Sequence, residues 1–586
     1  MKKIIDQLNE ICADAFTKAG FDAGFGRVNV SNRPDLCQYQ CNGALACAKA
    51  VHRKPIEIVE EVAALLKEDA AFSKAEACMP GFINLDLAPE YLADYLSAQA
   101  QDPDCGIIKE ARKRIIVDYG GANVAKPLHL GHLRSAVIGE SIKRTGAAVG
   151  NETIGDVHLG DWGLQMGLII EELKDRNQTE FTLSDLEEIY PAASAKSKAV
   201  DENGNLTPEA AAFRERALEA TKLLQEGDPE CRRTWERILE LSKADLKKNY
   251  DHLDVHFELW KGESDVQKYI PDMLEDLVQR GIAREDQGAL VVDVQEESDK
   301  KEIPPCLIRK SDGASLYATT DLATLVEREK LYQPDGYIYT TDKRQELHFE
   351  SFFRVAKKAG IVRPDQQLSH LGFGTMNGRD GKPFKTRSGG VMRLEILIKD
   401  IEDAVYEKIR ANRNEDEISE EEARKIAETV GLAALKYGDL SNQASKDYIF
   451  DIDRFTSFEG NTGPYILYTI VRIGSILRTY DAAEGDKEAE EFAPALCASP
   501  DAVNLALSLA RFNEVTAAAW KELAPHKICQ FIYEVSNNFN TFYHNVMILK
   551  EEDSRLKASY IALLRLTKRI LEKSIDMLGF SAPEKM

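Results

Sequence analysis

The fold is decided by the stretch Lys113-Arg114-Ile115-Ile116-Val117-Asp118, which is followed by Gly120-Gly121. A short apolar run that ends at a glycine breaker predicts a buried strand. The loop after it ends in His129-Leu130-Gly131-His132, and a helix is predicted from about Gly131 to Ala147, with a second strand near Glu152 to Asp156. Strand, loop, helix and strand predict the start of a doubly wound parallel sheet, in which ligands bind at the carboxyl ends of the strands.

The rest of the chain divides by its hydrophobic pattern. Residues 1–108 alternate helical patterns with short strands, and residues 172–290 are charged and helical. Strand character returns at Gly336 to Thr340, and from Ile401 helical patterns follow one another. We therefore predict a multidomain fold, α/β followed by all-α, in four parts: a small α/β module (1–108), a doubly wound α/β domain (109–400) with a helical insertion (about 172–290), a helical connecting region (401–464) and an all-helical bundle (465–586).

Length and composition indicate a multidomain globular protein. The 586 residues exceed what one hydrophobic core supports, and 44% of them are hydrophobic while 30% are charged. No apolar run reaches the ~18 residues of a membrane span. Asp6 and Glu10 interrupt the amino terminus, where a signal peptide needs an apolar core. We therefore expect a cytoplasmic protein with no membrane partner.

The cysteine spacing argues against a disulfide-linked or zinc-binding protein, and the negative net charge argues against a DNA-binding one. Ten cysteines without paired CxxC spacing predict free thiols, with a zinc site as the less favoured alternative. A formal net charge of -23 argues against a polyanionic partner, and we expect no DNA binding. Residues 501–586 are nearly neutral, however, so a local RNA-binding face stays open.

The two histidines at the predicted helix start are the strongest chemical signal. A helix N-terminus presents free backbone N–H groups and a positive dipole, and Gly131 allows a phosphate to approach the backbone closely. His129 and His132 can donate to phosphoryl oxygens whose charge rises in a transition state. The alternative is a pair of histidines that only cap the helix.

Several stretches resemble class I aminoacyl-tRNA synthetases of the bacterial arginyl type. Ala122 to His132 is similar to the HIGH-motif region of that family, and Gly160 to Gly167 resembles the segment after its second strand. The resemblance continues to the last residue, Met586. Further matching segments are Ser311-Asp312-Gly313, Tyr317 to Asp321, Asp342 to Gln345 and Phe458 to Tyr465.

Arginine recognition requires planar carboxylate partners for a guanidinium. Tyr317 and Asp321 are four residues apart on a predicted helix and share a face, and Asp118 ends the first strand. Taken alone, Asp118 is more simply explained as a strand cap and Asp321 as part of a solvated helix face. The resemblance implies instead that Asp118, Asp321 and Tyr317 bind the guanidinium. It also implies that Asn123, His129 and Gln345 bind the α-amino and carboxylate end.

The second class I signature, KMSK, is degenerate in this chain. The matching stretch is Gly381 to Gly390, in which Phe384-Lys385-Thr386-Arg387 has no final lysine. The family's degenerate members often carry a lysine before the HIGH motif, and Lys126 has that position. The resemblance implies that Lys126, Lys385 and Arg387 share the stabilisation of phosphate charge. The expected ATP-binding residues are His129, Gly131, His132, Lys126 and Lys385.

The tail and the first module are expected to contact RNA. The resemblance suggests that Tyr465 or Tyr468, Tyr543 and Met586 approach the anticodon, and that Phe82 and Asn84 touch the tRNA elbow. On periodicity alone, Phe539 and Phe542 belong to a buried aromatic helix face rather than to a stacking platform.

The resemblance implies a Rossmann-type enzyme that activates L-arginine with ATP and transfers it to the 3′ end of tRNA(Arg). Mg²⁺ would accompany ATP, no tightly bound protein metal is expected, and a monomer is favoured. A glutamyl or cysteinyl synthetase is disfavoured by the paired acidic residues and by the missing zinc-ligand set. A small-cofactor nucleotidyltransferase would not need the helical tail, and a non-catalytic relative would have lost His129 or His132.

Overall fold

The chain forms alternating helices and strands that group into two units. The computed structural model describes residues 1–311, 315–382, 392–412, 418–484 and 492–586. One unit, here the terminal unit, comprises residues 1–109, 457–576 and 581–586. The other, here the sheet unit, comprises residues 110–456 and 577–580.

The amino-terminal part of the terminal unit is a small α/β module, as predicted. Its strands form an antiparallel sheet in the order β1-β2-β4-β3. The strands are β1 (Val28–Val30), β2 (Tyr39–Cys41), β3 (Phe72–Cys78) and β4 (Phe82–Leu87). The helices are α1 (Ile4–Lys18), α2 (Ala44–Val51), α3 (Pro55–Leu66) and α4 (Pro89–Gln101).

The sheet unit contains the predicted parallel sheet. Four of its strands lie in the order β11-β10-β5-β6, all parallel. Asp118, the last residue of β5, is paired in register with Asp156, the last residue of β6, and on its other side with Tyr339 of β10. The strands of the unit are β5 (Arg114–Asp118), β6 (Glu152–Asp156), β7 (Arg284–Asp286), β8 (Ala289–Val292), β9 (Cys306–Arg309), β10 (Gly336–Asp342), β11 (Gln367–Phe373), β12 (Met376–Asn377) and β13 (Tyr448–Ile449).

Helices surround this sheet, and the insertion is helical from α6 to α10, as predicted. It ends on a small antiparallel sheet, β7-β8-β9, that the sequence pattern did not indicate. The helices are α5 (Leu130–Ala148), α6 (Leu164–Asp175), α7 (Leu183–Lys196), α8 (Pro208–Glu226), α9 (Pro229–His252), α10 (Ile270–Gln279), α11 (Tyr317–Leu331), α12 (Glu346–Lys358), α13 (Leu394–Asn412), α14 (Glu420–Leu440) and α15 (Ile452–Phe455).

One hydrophobic core fixes α11 and α12 relative to the parallel sheet. Ile116 of β5 and Tyr337 of β10 are buried in it together with Leu322 of α11 and with Phe352 and Val355 of α12. Burial of aliphatic and aromatic side chains contributes about 1.5–3 kcal/mol each. This packing holds α11 and α12 against β5 and β10.

The carboxyl-terminal part of the terminal unit is all-helical, as predicted. Within this unit α4 packs against it: the Tyr95 hydroxyl donates to the Ala510 carbonyl at 3.3 Å and Gln99 Nε2 to the Leu509 carbonyl at 2.9 Å. The helices are α16 (Gly463–Glu484), α17 (Pro500–Ala510), α18 (Phe512–Lys521), α19 (Pro525–Asn545) and α20 (Ser554–Met577).

Two further expectations concern the whole chain. All ten cysteines are free thiols, as predicted. Over the described ranges, none of the helices is both long enough and apolar enough to cross a membrane.

Candidate active site

His129 and His132 lie together at the amino-terminal end of α5. His129 is the N-cap residue, and its Nδ1 accepts a hydrogen bond from the Gly131 backbone N–H at 3.0 Å. His132 Nδ1 accepts from the His129 backbone N–H at 3.1 Å. The two ring centroids are 3.9 Å apart. The pair therefore caps the helix and also presents two adjacent imidazoles at its positive end.

The hydrogen bonds fix the tautomer of both rings. Because each Nδ1 accepts a hydrogen bond, the proton of a neutral ring is on Nε2. Burial, with the charge of Lys126, lowers the pKa of His129. Burial, the neighbouring His129 and Lys126 lower the pKa of His132 to about 3. At neutral pH both rings are therefore uncharged and carry an Nε2–H that can donate to an anion.

Lys126 supplies positive charge next to the two imidazoles. Its Nζ lies 4.4 Å from the centre of the Tyr190 ring on α7. The preceding residue, Ala125, has a left-handed backbone with φ of 61°, and its N–H donates to Ser242 Oγ on α9 at 2.9 Å. The insertion helices therefore hold the loop that carries Lys126.

A buried cluster of charges lies at the carboxyl ends of β5 and β6. Asp118 Oδ2 accepts from Arg328 Nη2 at 2.5 Å, and Asp156 Oδ2 accepts from the same nitrogen at 2.7 Å. Arg328 Nη1 donates to the Tyr339 hydroxyl of β10 at 3.1 Å. The Asp118 side chain is 14% exposed, so this carboxylate lies at the boundary between the buried cluster and solvent.

Asp321 and Tyr317 lie on the first turns of α11. Asp321 Oδ2 is 2.6 Å from His348 Nε2 of α12. The Asp321 side chain is 25% exposed, whereas Tyr317 is 76% exposed. Burial raises the pKa of Tyr339, and the charges of Asp118 and Asp321 both add to that rise. Both predicted carboxylate ligands thus act electrostatically on the same phenol, while Tyr317 faces solvent.

A third acidic side chain lies near Asp321. Burial raises the pKa of Glu263 to about 7, and the neighbouring charges of Asp161 and Asp321 contribute. Asp161 itself accepts from the Ser264 hydroxyl at 2.6 Å and from the Ser264 backbone N–H at 2.9 Å. Glu263 therefore has an environment that favours a positively charged neighbour.

The other predicted substrate ligands lie on loops and helix ends. Asn123 is exposed and forms an isolated parallel bridge with Gly160. A Cβ at Gly160 would lie 2.1 Å from Asn123 Oδ1, so any larger residue there would displace the Asn123 side chain. Gln345 is exposed at the N-cap of α12. Lys385 and Arg387 lie outside the described residues.

Comparison with known families identifies the chain. The family described as "tRNA synthetases class I (R), catalytic domain" matches residues 95–452. The chain belongs to the arginyl-tRNA synthetase family. Its arginyl-tRNA synthetase N-terminal domain matches residues 2–87, and its DALR anticodon binding domain matches residues 466–586.

Relatives of the arginyl-tRNA synthetase family match along the whole chain. An arginine–tRNA ligase of Agathobacter rectalis is 56% identical over 607 residues and covers 100% of both chains. That of Alkaliphilus oremlandii is 49% identical over 603 residues with the same coverage. The Plasmodium falciparum arginyl-tRNA synthetase structure has a TM-score of 0.80 at 25% identity, with 100% of both chains covered.

In the part of the chain that matches the anticodon binding domain, α16 and α19 share a polar and aromatic surface. Arg472 donates through Nη1 to Asn540 Oδ1 and through Nη2 to the Tyr468 hydroxyl, each at 2.9 Å. Its guanidinium lies 4.5 Å from the Tyr468 ring centre and 5.4 Å from that of Tyr543. Asn540 Nδ2 also donates to the Tyr465 hydroxyl at 2.9 Å. Tyr468 and Tyr543 are both exposed to solvent.

The remaining predicted RNA contacts differ in exposure. Phe539 and Phe542 are fully buried, as their periodicity predicted. Asn84 is also buried: its Oδ1 accepts from Gln40 Nε2 at 2.9 Å. Phe82 and Met586 are partly exposed.

Asp156, Arg328, His348, Glu263 and Arg472 were not identified from the sequence. Asp156 ends a correctly predicted strand. Its expected position beside Asp118 at the carboxyl edge of a parallel sheet was the signal that could have identified it. The other four are charged or ionisable residues whose partners lie on distant segments.

Proposed function

We propose that the carboxyl edge of the parallel sheet is where this arginine–tRNA ligase joins arginine to ATP. The observation that carries the proposal is the position of two neutral imidazoles, each with a proton on Nε2, at the N-terminus of α5. Acidic side chains lie at the carboxyl ends of the neighbouring strands. Donors for a phosphate and acceptors for a cation thus belong to one sheet edge.

The acidic side of this edge binds the amino acid. Asp118 and Asp321 accept hydrogen bonds from the guanidinium of arginine, and Tyr317 closes over it from its exposed position. Charge-assisted bonds to two carboxylates select a planar cation over a point charge such as lysine. Asn123, His129 and Gln345 bind the α-amino and carboxylate end of the substrate.

The basic side binds ATP. His129, Gly131, His132 and Lys126 contact the phosphates, and Lys385 and Arg387 approach from the KMSK-like loop. Mg²⁺ enters with ATP as part of the substrate. No group of three or more His, Cys, Asp or Glu side chains in the described ranges has the arrangement of a metal site. The side chains of this basic side and the positive end of the α5 dipole face the charge of the phosphates.

The reaction proceeds by two displacements. An oxygen of the arginine carboxylate attacks the α-phosphorus, the bond to the β-phosphate oxygen breaks, and pyrophosphate leaves with its electron pair. The 2′-hydroxyl of the terminal tRNA adenosine then attacks the carbonyl carbon of arginyl-adenylate, and AMP leaves. The Nε2–H groups of His129 and His132 stabilise the oxygen charge that builds on phosphorus in the first step.

The pH dependence of arginine binding tests the position of the amino acid. Bound arginine favours ionised Glu263, so below its pKa of about 7 binding releases a proton. The KM for arginine is therefore expected to fall as pH rises from 6 to 8, by up to about tenfold. Glu263→Gln should flatten this profile when initial rates of aminoacylation are measured across the range.

The exposed Glu275 on α10 provides the matched control for that experiment. Glu275→Gln should retain the wild-type pH profile. An unchanged slope in the Glu263→Gln enzyme would place the arginine cation away from this carboxyl group.

The surface formed by Tyr468, Arg472 and Tyr543 binds the anticodon loop of tRNA(Arg). Tyr465 contributes through its bond to Asn540, and Met586 adds an apolar contact. Phe82 remains the proposed elbow contact, whereas Asn84 acts there by supporting the strand surface. Exposed rings beside a guanidinium provide stacking and phosphate contacts for a single-stranded loop.

Replacing Tyr543 tests this surface. Tyr543→Ala should raise the Kd for tRNA(Arg) by about 5- to 150-fold, because one base–aromatic stack contributes about 1–3 kcal/mol. Tyr543→Phe retains the ring and should bind tRNA within about twofold of wild type. Filter binding of both variants checks this, and a raised KM for arginine with unaltered tRNA affinity would contradict it.

The same proposal places domain boundaries at residues 108, 400 and 464. It also includes a monomeric state and a cytoplasmic location, where tRNA and ATP are present. Residues 1–109 and most of 457–586 form one compact unit. The first module and the anticodon-binding helices thus act as a single RNA-binding body in this proposal.

A further inference from the structure

Arg328 has a guanidinium group that is buried at the same sheet edge as the proposed arginine site. Only 1% of its side chain is exposed. Nη2 donates to Asp118 and Asp156, at 2.5 and 2.7 Å, and Nη1 donates to the Tyr339 hydroxyl at 3.1 Å. No sequence motif singles out Arg328, and the proposed reaction gives it no role.

The cluster around Arg328 contains more negative than positive charge. Two carboxylates share one guanidinium, so a second cation completes the charge balance. Arg328 donates to Oδ2 of Asp118, which leaves Oδ1 of this partly exposed carboxylate for a second donor. Asp156 Oδ1 is buried and has no donor within the described ranges. The cluster is therefore suited to receive a cationic ligand next to Arg328.

Helix α11 presents Arg328 on the same face as the proposed substrate ligands. Tyr317, Asp321, Thr324 and Arg328 are separated by four, three and four residues, the spacing of one helix face. Thr324 Oγ1 lies 3.4 Å from His158 Nε2, just beyond the end of β6. The single helix α11 thus fixes the positions of both Asp321 and Arg328, the partner of Asp118.

The geometry points to Arg328 as a positioning residue for the substrate: its guanidinium orients Asp118, so that the free carboxylate oxygen meets the guanidinium of arginine. This inference rests on the proposed function, because it assumes that Asp118 binds arginine. Burial opposes the charge of Arg328, but the attraction of Asp118, Tyr339 and Asp156 raises its pKa well above the ordinary value. The internal cation therefore stays charged whether or not arginine is bound.

Conservative replacement of Arg328 tests this role. Arg328→Lys retains the charge but loses the planar fork, and should raise the KM for arginine by about 10- to 100-fold. The KM for ATP should stay within about twofold, because the phosphate side of the site is untouched. Arg354→Lys is the matched control, since Arg354 of α12 forms a bidentate pair with Asp299 outside the site. It should leave both KM values unchanged.

A double-mutant cycle separates positioning from a merely structural ion pair. If Arg328 acts through Asp118, Arg328→Lys should add little to the KM for arginine once Asp118→Asn is present. In the Asp321→Asn background, by contrast, Arg328→Lys should raise the KM for arginine by the same factor as in the wild-type enzyme. Multiplicative effects with both aspartate variants, or equal rises in the KM for ATP, would overturn the inference.

Tyr339→Phe covers the case in which Arg328→Lys does not fold. It removes one hydrogen bond of the guanidinium and should raise the KM for arginine about two- to fivefold, an effect that should vanish in the Asp118→Asn background. An unchanged KM in Tyr339→Phe would overturn the inference. If Asp118→Asn and Asp321→Asn themselves leave the KM for arginine unchanged, the proposed site fails, a result distinct from failure of the Arg328 role alone.

Discussion

Replacement of Asp321 by asparagine is expected to raise the KM for arginine by about 30- to 150-fold. Removing one partner of a hydrogen-bonded charge pair costs about 2–5 kcal/mol, and the partial exposure of Asp321 favours about 2–3 kcal/mol. The amide retains the shape of the carboxylate but loses its charge, so the effect reports on the guanidinium contact. Steady-state aminoacylation with varied arginine checks this value.

Two further variants test whether the effect of Asp321→Asn is specific to the arginine pocket. Asp293→Asn removes a carboxylate that pairs with Arg284 on the small antiparallel sheet and should leave the KM for arginine unchanged. His348→Ala removes the partner of Asp321 and should raise the KM in the same direction by a smaller factor. If Asp321→Asn leaves the KM for arginine at its wild-type value, Asp321 is not part of the pocket.

Replacement of His132 by alanine is expected to lower kcat for arginine activation by about 10²–10³-fold, as is typical for loss of one donor to a developing oxyanion. The affinity for tRNA should change little, because the imidazole acts on phosphorus rather than on RNA. Pyrophosphate exchange and filter binding on the same preparation measure the two quantities.

The capping role of His132 requires its own control. Because His132 Nδ1 accepts from the His129 backbone N–H, alanine also removes a helix cap, which costs about 0.5–2 kcal/mol of stability. His132→Asn can supply both an acceptor for that N–H and a donor, so it should recover stability and part of kcat. His256→Ala, at an exposed histidine paired with Asp254, should retain full activity. A tRNA-binding defect in His132→Ala with normal kcat would contradict the assignment.

The sheet and the helix start were predictable because local signals coincide there. The apolar runs of β5 and β10 end at polar residues or glycine breakers, and His129-Leu130-Gly131-His132 lies where a helix N-terminus is expected. The strands β8 and β9 contain apolar runs of at most four residues, too short to be distinguished from helix by pattern, and β7 has no apolar run at all. Arg284–Asp286 consists only of charged residues and is a strand because it pairs with β8.

The buried charges could not be predicted from local patterns. A charged residue inside a helix is normally expected to face solvent. Arg328 can be buried because it pairs with Asp118 and Asp156, and these partners lie 210 and 172 residues away in the sequence. Arg472 is partly buried, and its partner Asn540 is likewise distant, 68 residues away. Such residues become recognisable only when the fold brings their partners together.

The most direct measurement is a crystal structure of the protein with arginine and a non-hydrolysable ATP analogue bound. The guanidinium nitrogens are expected about 3 Å from carboxylate oxygens of Asp118 and Asp321, with the α-phosphate beside His129 and His132. Arginine bound away from both carboxylates would contradict the account.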